Sequence, residues 1–561
     1  MVGRLLHVFN REWSSLHEAA FLLAGTAILS QAIGLVRDRL LAAHFGAGQE
    51  LDIYYAAFRV PDFLYASIAS FVAVTVLIPF LLEKIEKDGN WNSAGRFTNT
   101  VFTVFAATMA FFVGIAYIAM PYLAHSITPG FSLEAEREHI LLSRILLLSP
   151  FLLGISNLFG AVTQSLRRFF VFAAGPVLYN IGIVIGIIFL MPKYGLSGIA
   201  IGVILGALLH VVIQLPVLFS NRTVPRFTFS IDWWEILRVM KLSIPRTLAL
   251  SAANFSTIIL VALASTIATG SIAVFTLAMN LQSIPLSIIG MSYSVAAFPT
   301  LAKLWTKGNQ NEFLGHIVIA MRHIMFWSFP AIILFIILRA QIVRTILGSG
   351  AFDWTATRLT AAALALFAIS VVAQNLVLLL TRAFYAMGKT RLPLVTNMIG
   401  AVLVVVSSYL FLALFRSNDF FRYFAESLLR VADISGTSIL MLPLGYSFGM
   451  IVNIFLLLFF IRKEFPSILL NVKKAFLHSF TTSIIVGFVA YQALRIFASV
   501  FDLDVFIGIF LQGFLAGCFG IIAGMFLLHL MENKELEEIR LSLHKKFWKA
   551  TPIAAGEETL P

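Results

Sequence analysis

The chain has 561 residues, 59% of them hydrophobic and 12% charged, with a mean hydropathy of +0.92. Soluble domains carry about 25% charged residues, so a soluble globular fold, a disordered chain and a secreted disulfide scaffold are excluded, and the single cysteine, Cys518, permits neither an internal disulfide nor a cysteine metal cluster. The net charge of +12 reads as membrane topology and not as nucleic-acid binding, because the basic residues gather in short loops between apolar runs.

A helix crossing a bilayer needs about 20 mostly apolar residues. Runs of this kind occupy residues 17–44, 51–82, 96–121, 139–165, 169–191, 195–220, 236–268, 271–302, 313–338, 358–386, 392–415, 437–461, 475–497 and 505–531. The expected fold is therefore an all-α polytopic membrane protein with about fourteen transmembrane helices. An even count puts both termini on one side. An excess of Lys and Arg of about threefold in the loops on that side makes it the cytoplasm. Residues 1–16 (MVGRLLHVFNREWSSL) suggest an interfacial amphipathic helix and lack a signal-peptide cleavage site. Residues 416–435 (RSNDFFRYFAESLLRVADIS) suit an outer amphipathic helix, and residues 532–561 read as a charged, solvated tail.

The chain repeats itself. Gln164–Gly182 and Thr381–Gly400 each place a basic turn before a Pro-x-x-x-Asn helix start, Pro176/Asn180 and Pro393/Asn397, at an offset of 217. Pro79 and Pro299 follow at 220, and the pairs Gly202/Gly206 and Gly445/Gly449 at 243, which locates an insertion around residues 416–435. These anchors predict two six-helix lobes related as parallel repeats around a central cavity, followed by two further helices. The expected organisation is an N-terminal helix (1–16), an N-lobe (17–220), a C-lobe (221–463), two lipid-groove helices (464–531) and a cytoplasmic tail (532–561).

Charges inside a membrane are costly and mark candidate function. They concentrate in the first two spans: Arg37, Asp38 and Arg39 in GLVRDRLL, then Asp52, Arg59 and Asp62 in LDIYYAAFRVPD. Arg59 and Asp62 stand at i, i+3 and are expected to pair, with Pro61 bending the span between them. Arg37 has no equally clear partner on its own helix, because Asp38 points away by about 100°. It is therefore the arginine most available to an anion, and arginine suits phosphate through its planar, permanently charged fork. Arg144, Arg246, Arg382 and Arg495 are expected near the interfaces. His210, His316 and His323 are isolated and read as packed or interfacial. No nucleotide loop or metal-ligand cluster occurs, so the expectation is a transporter without cofactor, metal or catalytic residue.

Gly34–Asp62 and Gly348–Leu394, with PVLYN and YGLSGIAIGVILGALLHVVIQLP in spans 5 and 6, resemble the MurJ/MviN family of lipid II flippases. The resemblance runs over nearly the whole chain. It implies the multidrug/oligosaccharidyl-lipid/polysaccharide exporter fold, residence in the bacterial cytoplasmic membrane and a cationic cavity for a polyprenyl-pyrophosphate-linked saccharide. It places Arg37, Asp38, Asp52 and Arg59 on the family's functional positions. The sequence departs at Gln31, Tyr65, Ala66, Ser70, Met279, Asn280 and Ser283, which are neutral where the family is usually charged, and no sodium site is evident. The expected substrate-binding set is Arg37, Arg59, Asp38, Asp52, Gln31 and Asn280, with Pro61, Pro285 and Gly34 as structural or hinge positions.

The resulting expectation is translocation of lipid II by alternating access. The partners would be the lipid-linked saccharide, membrane lipids and cell-wall synthesis or division proteins, with no nucleic acid, and the chain a monomer. The alternatives are a flippase for an O-antigen or teichuronic-type lipid-linked oligosaccharide, a cation-coupled drug antiporter, and a non-transporting cell-wall scaffold.

Overall fold

The computed structural model describes residues 16–72, 74–88 and 91–540. The expected interfacial helix at the N-terminus and the tail beyond residue 540 fall outside the described residues, as do the side chains of Ser70 and Arg246. The described residues form helices and no strand. Lipid offers no partner for a backbone N–H or C=O, so an apolar chain crossing it must satisfy its hydrogen bonds within each segment.

In chain order the helices are α1 (Leu16–Phe45), α2 (Gln49–Ala57), α3 (Arg59–Ile68), α4 (Val74–Asp88), α5 (Asn92–Ile127), α6 (Leu133–Leu146), α7 (Leu148–Ser165), α8 (Phe169–Ile185), α9 (Met191–Tyr194), α10 (Leu196–Val212), α11 (Leu215–Ser220) and α12 (Trp233–Ser265). They continue with α13 (Ser271–Pro285), α14 (Ser292–Thr306), α15 (Gln310–Ile337), α16 (Arg339–Ile346), α17 (Trp354–Ala368), α18 (Val371–Ala386), α19 (Arg391–Ser417), α20 (Asp419–Leu429), α21 (Met441–Glu464), α22 (Ile468–Phe497) and α23 (Phe506–Leu530).

Among the described residues, eleven helices are long and apolar enough to span a membrane, or twelve if α17 and α18, bent by 44°, count as one. The expected count of fourteen is not reached. The two segments not counted are α1, which borders the undescribed end, and the second expected span. That span is interrupted at Phe58 and again by a 3-10 turn at Ala69–Val72. The first interruption has a clear cause. Pro61 donates no N–H, and its ring clashes with the carbonyl four residues back, at Ala57, where α2 ends. Pro285 likewise ends α13, and a π-helical turn, Leu286–Met291, follows it.

The helices pack as two compact units. One comprises residues up to 284, 343–367 and 389–453. In it α1 packs on α8, α8 on α10, and α12 on both α19 and α3. The small-residue anchors of the repeat are contact points. A Cβ on Gly182 would meet Gly206 Cα at 2.3 Å, and one on Gly186 would meet Gly202 Cα at 2.6 Å. In the second repeat, a Cβ on Gly445 would meet Ser408 Cα at 2.4 Å, and one on Gly449 the Val404 nitrogen at 2.6 Å. Both pairs therefore carry near backbone-to-backbone approach of helices. The insertion also has a structural form. Gly195 alone, at φ +56°, joins α9 to α10, whereas residues 418–440, which include α20 and a 3-10 turn at Thr437–Leu440, join α19 to α21.

At one end of this unit, three backbone segments meet closely. Ala351 N–H donates to Ala43 O at 2.8 Å. A Cβ on Gly46 would lie 2.6 Å from Ala351 O, one on Gly350 2.3 Å from Ala43 O, and one on Gly270 1.9 Å from Ala47 O.

The second unit comprises residues 285–342, 368–388 and from 454 onward. Within it α15 packs on α18 and on α22, and α22 on α23. Asn375 Nδ2 donates to Ser328 Oγ at 2.8 Å. The start of the tail is docked and not a free solvated end: buried Glu535 accepts from Arg322 Nε at 2.5 Å, and His323 Nε2 lies 3.0 Å from Glu538. His210 is packed too, with its Nδ1 2.6 Å from Ser156 Oγ.

Candidate functional site

The site is built on the second half of α1, where the helix continues unbroken through Gly34. Arg37 does find a partner on its own helix, against the expectation. Its Nε and Nη2 reach Asp38 Oδ1 at 2.9 and 2.8 Å. The helical wheel fixes where Cβ atoms point, but the long arginine side chain folds back across the adjacent residue. Nη1 donates to Asn180 Oδ1 on α8 at 3.0 Å. Asn180 in turn donates to Ser30 Oγ at 3.1 Å. On the other side, Asp38 Oδ2 accepts from Asn280 Nδ2 on α13 at 3.0 Å.

A continuous polar relay thus runs Ser30–Asn180–Arg37–Asp38–Asn280 and ties α8, α1 and α13 together. Asp38 is 4% exposed. A guanidinium has five N–H donors, and Arg37 uses three in these bonds. One donor remains on each terminal nitrogen, on a side chain still 23% exposed.

Arg59, on α3, donates Nε to Tyr55 O at 3.1 Å. The ion pairs within 4 Å among the described residues do not include Arg59 with Asp62. The break at Phe58 makes Arg59 the first residue of α3 and turns its side chain back toward α2. Asp62, on α3, is exposed. Arg37, Asp38, Asp62 and Tyr179 all interact electrostatically with buried Tyr54.

Asp52 takes a different place. It is buried, with Oδ2 accepting the Gly270 N–H at 2.6 Å and Oδ1 the Ala273 N–H at 2.8 Å. These are orphan donors at the start of α13, and a carboxylate there also meets the positive end of the helix dipole. Arg39 does the converse, donating to the Thr345 and Ile346 carbonyls at the end of α16, at 2.5 and 3.4 Å. Gln31 is half-buried on α1, and Tyr65 OH accepts from Asn157 Nδ2 at 3.0 Å.

Sequence reasoning missed two members of the cluster. Asn180 was legible only as a repeat anchor. Tyr55 was not singled out, yet its hydroxyl is buried with no hydrogen-bond partner, beside Arg37, Asp38 and Arg59. A buried unpaired hydroxyl is costly and marks a place for a ligand or ordered water. Among the described residues no group of His, Cys, Asp and Glu could hold a metal ion.

The family model for the lipid II flippase MurJ matches residues 41–512. The chain belongs to the MurJ family. The lipid II flippase MurJ of Burkholderia cenocepacia is 25% identical over 409 residues, 71% of this chain and 79% of that protein. A probable lipid II flippase MurJ of Rhizobium tropici is 27% identical over 410 residues, 70% and 75% of the two chains. A solved MurJ in an inward closed conformation superposes with a TM-score of 0.72 at 22% identity, over 91% of this chain and all of that one. An inward-facing multidrug MATE transporter of the MOP superfamily follows the same fold, with a TM-score of 0.63 at 16% identity, over 78% of this chain and 95% of that one. With its long apolar helices, this MurJ-family chain is a protein of the bacterial inner membrane.

Proposed function

We propose that this chain moves lipid II from the inner to the outer leaflet of the bacterial inner membrane, without chemical change to it. The observation that carries the reading is Arg37: a guanidinium on α1, held by Asp38 and Asn180, with two N–H donors unspent. Two donors on neighbouring nitrogens match two oxygens of one phosphate. The unpartnered Tyr55 hydroxyl supplies a third donor. Arg59 and Asp62 complete the polar lining, and Asp52, Arg39 and the close glycine contacts hold one end of the pathway closed.

Both termini lie in the cytoplasm, which puts the sealed end outside. The two six-helix lobes rock about the site, and α22 and α23 offer their lipid-facing aromatic side chains to the polyprenyl tail. The protein acts as a monomer beside the enzymes of cell-wall synthesis. Membership of the MurJ family supports this substrate class.

The test is complementation of cells depleted of their own lipid II flippase, with wild type and Arg37→Ala at matched membrane levels. Rescue by wild type alone supports both substrate and site. Rescue by both variants removes Arg37 from the mechanism. Failure of both, with each protein in the membrane, removes lipid II as the cargo.

A further inference from the structure

α20 is an eleven-residue helix that Asn418 Oδ1 starts by accepting the Phe421 N–H at 2.9 Å. Its inner side is fixed to the protein. Ala425 and Leu429 are buried, Phe421 packs edge-on against Phe415 of α19, and Glu426 Oε1 accepts from Thr437 Oγ1 at 2.6 Å. The opposite side is apolar and uncovered. Phe420 is 82% exposed, Tyr423 60%, Phe424 58% and Leu428 64%. These positions fall on one stripe of a helix. In water, such a stripe of aromatic rings on a short helix would be strongly unfavourable.

Two things on the molecule say what covers it. The stripe continues an exposed apolar surface on the adjoining membrane helix, where Tyr409, Leu410 and Leu414 of α19 are also exposed. Asn418 is the only residue between α19 and α20, so α20 starts where the bilayer span stops. Its ends carry exposed arginines, Arg416 before it and Arg430 at its C-cap. Arg430 holds the left-handed conformation, φ 62°, that glycine adopts without strain. A charged side chain kept at a strained turn points to a use for the charge.

We propose that α20 is an interfacial membrane helix. Its Phe420–Phe424–Leu428 face lies among the lipid acyl chains and glycerol backbones, and Arg416 and Arg430 bind lipid phosphates at its two ends. The first repeat has no counterpart, because Gly195 alone fills the corresponding connection. The anchor therefore fixes the second repeat to one leaflet while leaving the first free of it.

The experiment uses the full chain with Cys518→Ser and single nitroxide labels at Phe420→Cys, Phe424→Cys or Leu428→Cys. Ala432→Cys, exposed in the following turn, serves as the aqueous reference. Each protein is reconstituted into nanodiscs of phosphatidylethanolamine and phosphatidylglycerol. Collision with oxygen and with a water-soluble nickel chelate is then measured by electron paramagnetic resonance. The three stripe labels are expected about 5–10 Å below the phosphates, oxygen-rich and nickel-poor, with Ala432→Cys the reverse. Nickel access at all three equal to that at Ala432→Cys overturns the proposal. Adding Arg416→Gln and Arg430→Gln should move the labels toward water, and unchanged depths would remove the arginines from the anchor.

Discussion

Asp52 Oδ2 accepts the Gly270 N–H at 2.6 Å, although 218 residues separate them in the chain. Its other oxygen takes the Ala273 N–H. One carboxylate from α2 therefore closes the start of α13. Asp52→Ala leaves two buried donors unpaired, at about 1–3 kcal/mol for each such group. The variant should melt at a lower temperature in detergent, with Asp52→Asn, which keeps one acceptor oxygen, in between. A midpoint for Asp52→Ala equal to wild type would contradict the capping role.

Arg37 and Asp38 should be separable by a double-mutant cycle. Arg37→Ala strands a carboxylate that is 4% exposed, and breaking a buried pair costs about 3–5 kcal/mol. Arg37→Ala/Asp38→Ala removes both charges and should recover most of that stability. Lipid transport should stay absent in both. If the double variant regains transport, the arginine serves only to hold its neighbour.

The close approach of the loops at the Ala43–Ala351 end depends on glycine at residue 270, where φ is +87° and a Cβ would lie 1.9 Å from Ala47 O. Gly270→Ala should keep that end from closing. A membrane-impermeant maleimide should then label Ala351→Cys, in a Cys518→Ser background, faster in the variant than in the parent. Equal labelling rates would show that the loops accommodate the methyl group.

Arg358 grips Asp433 with two nitrogens, at 2.7 and 2.6 Å. The guanidinium holds this exposed carboxyl below its ordinary range. A depressed folded-state pKa adds stability that is fully present above the unfolded value of about 4 and is lost as pH falls through the folded value. The melting temperature should therefore fall less steeply below pH 4 in Asp433→Asn than in wild type. The effect should be small, because solvent screens an exposed pair. Parallel curves for the two proteins would sink this assignment.

Docking of the tail predicts a sharp boundary for truncation. A chain ending at residue 540 keeps Glu535 on Arg322 and serves as the reference. Ending the chain at 532 strips Glu535 from Arg322 and should lower stability by about 1–3 kcal/mol. Arg322→Met in the shorter chain should restore part of the loss. Identical midpoints for both truncations would show that the ion pair contributes nothing.

The spans from α5 onward were legible because lipid demands long apolar runs, and the glycine anchors because positions that admit a neighbouring backbone leave few alternatives. The role of Asn180 was not legible. It depends on α8 lying against α1, a contact between residues 143 apart in sequence. Tyr55 was hidden for a related reason: nothing in LDIYYAAFRVPD says which tyrosine hydroxyl is left without a partner. The spacing rule for charges failed in both directions. It missed Arg37 with Asp38, whose flexible chains meet at i, i+1, and it joined Arg59 to Asp62 across a break that turns Arg59 away.

The unequal connections of the two repeats bear on where foreign sequence can enter the protein. Gly195 turns the chain between two helices that touch backbone to backbone, so a reporter spliced there would have to prise the hairpin apart. The corresponding corner between α19 and α21 already makes an excursion. Lengthening it beyond Asp433 costs loop entropy, about 0.6 kcal/mol for each doubling of its length, plus any loosening of the Arg358–Asp433 pair. Of the two corners that the sequence repeat aligns, only the one between α19 and α21 therefore accepts foreign sequence at low cost.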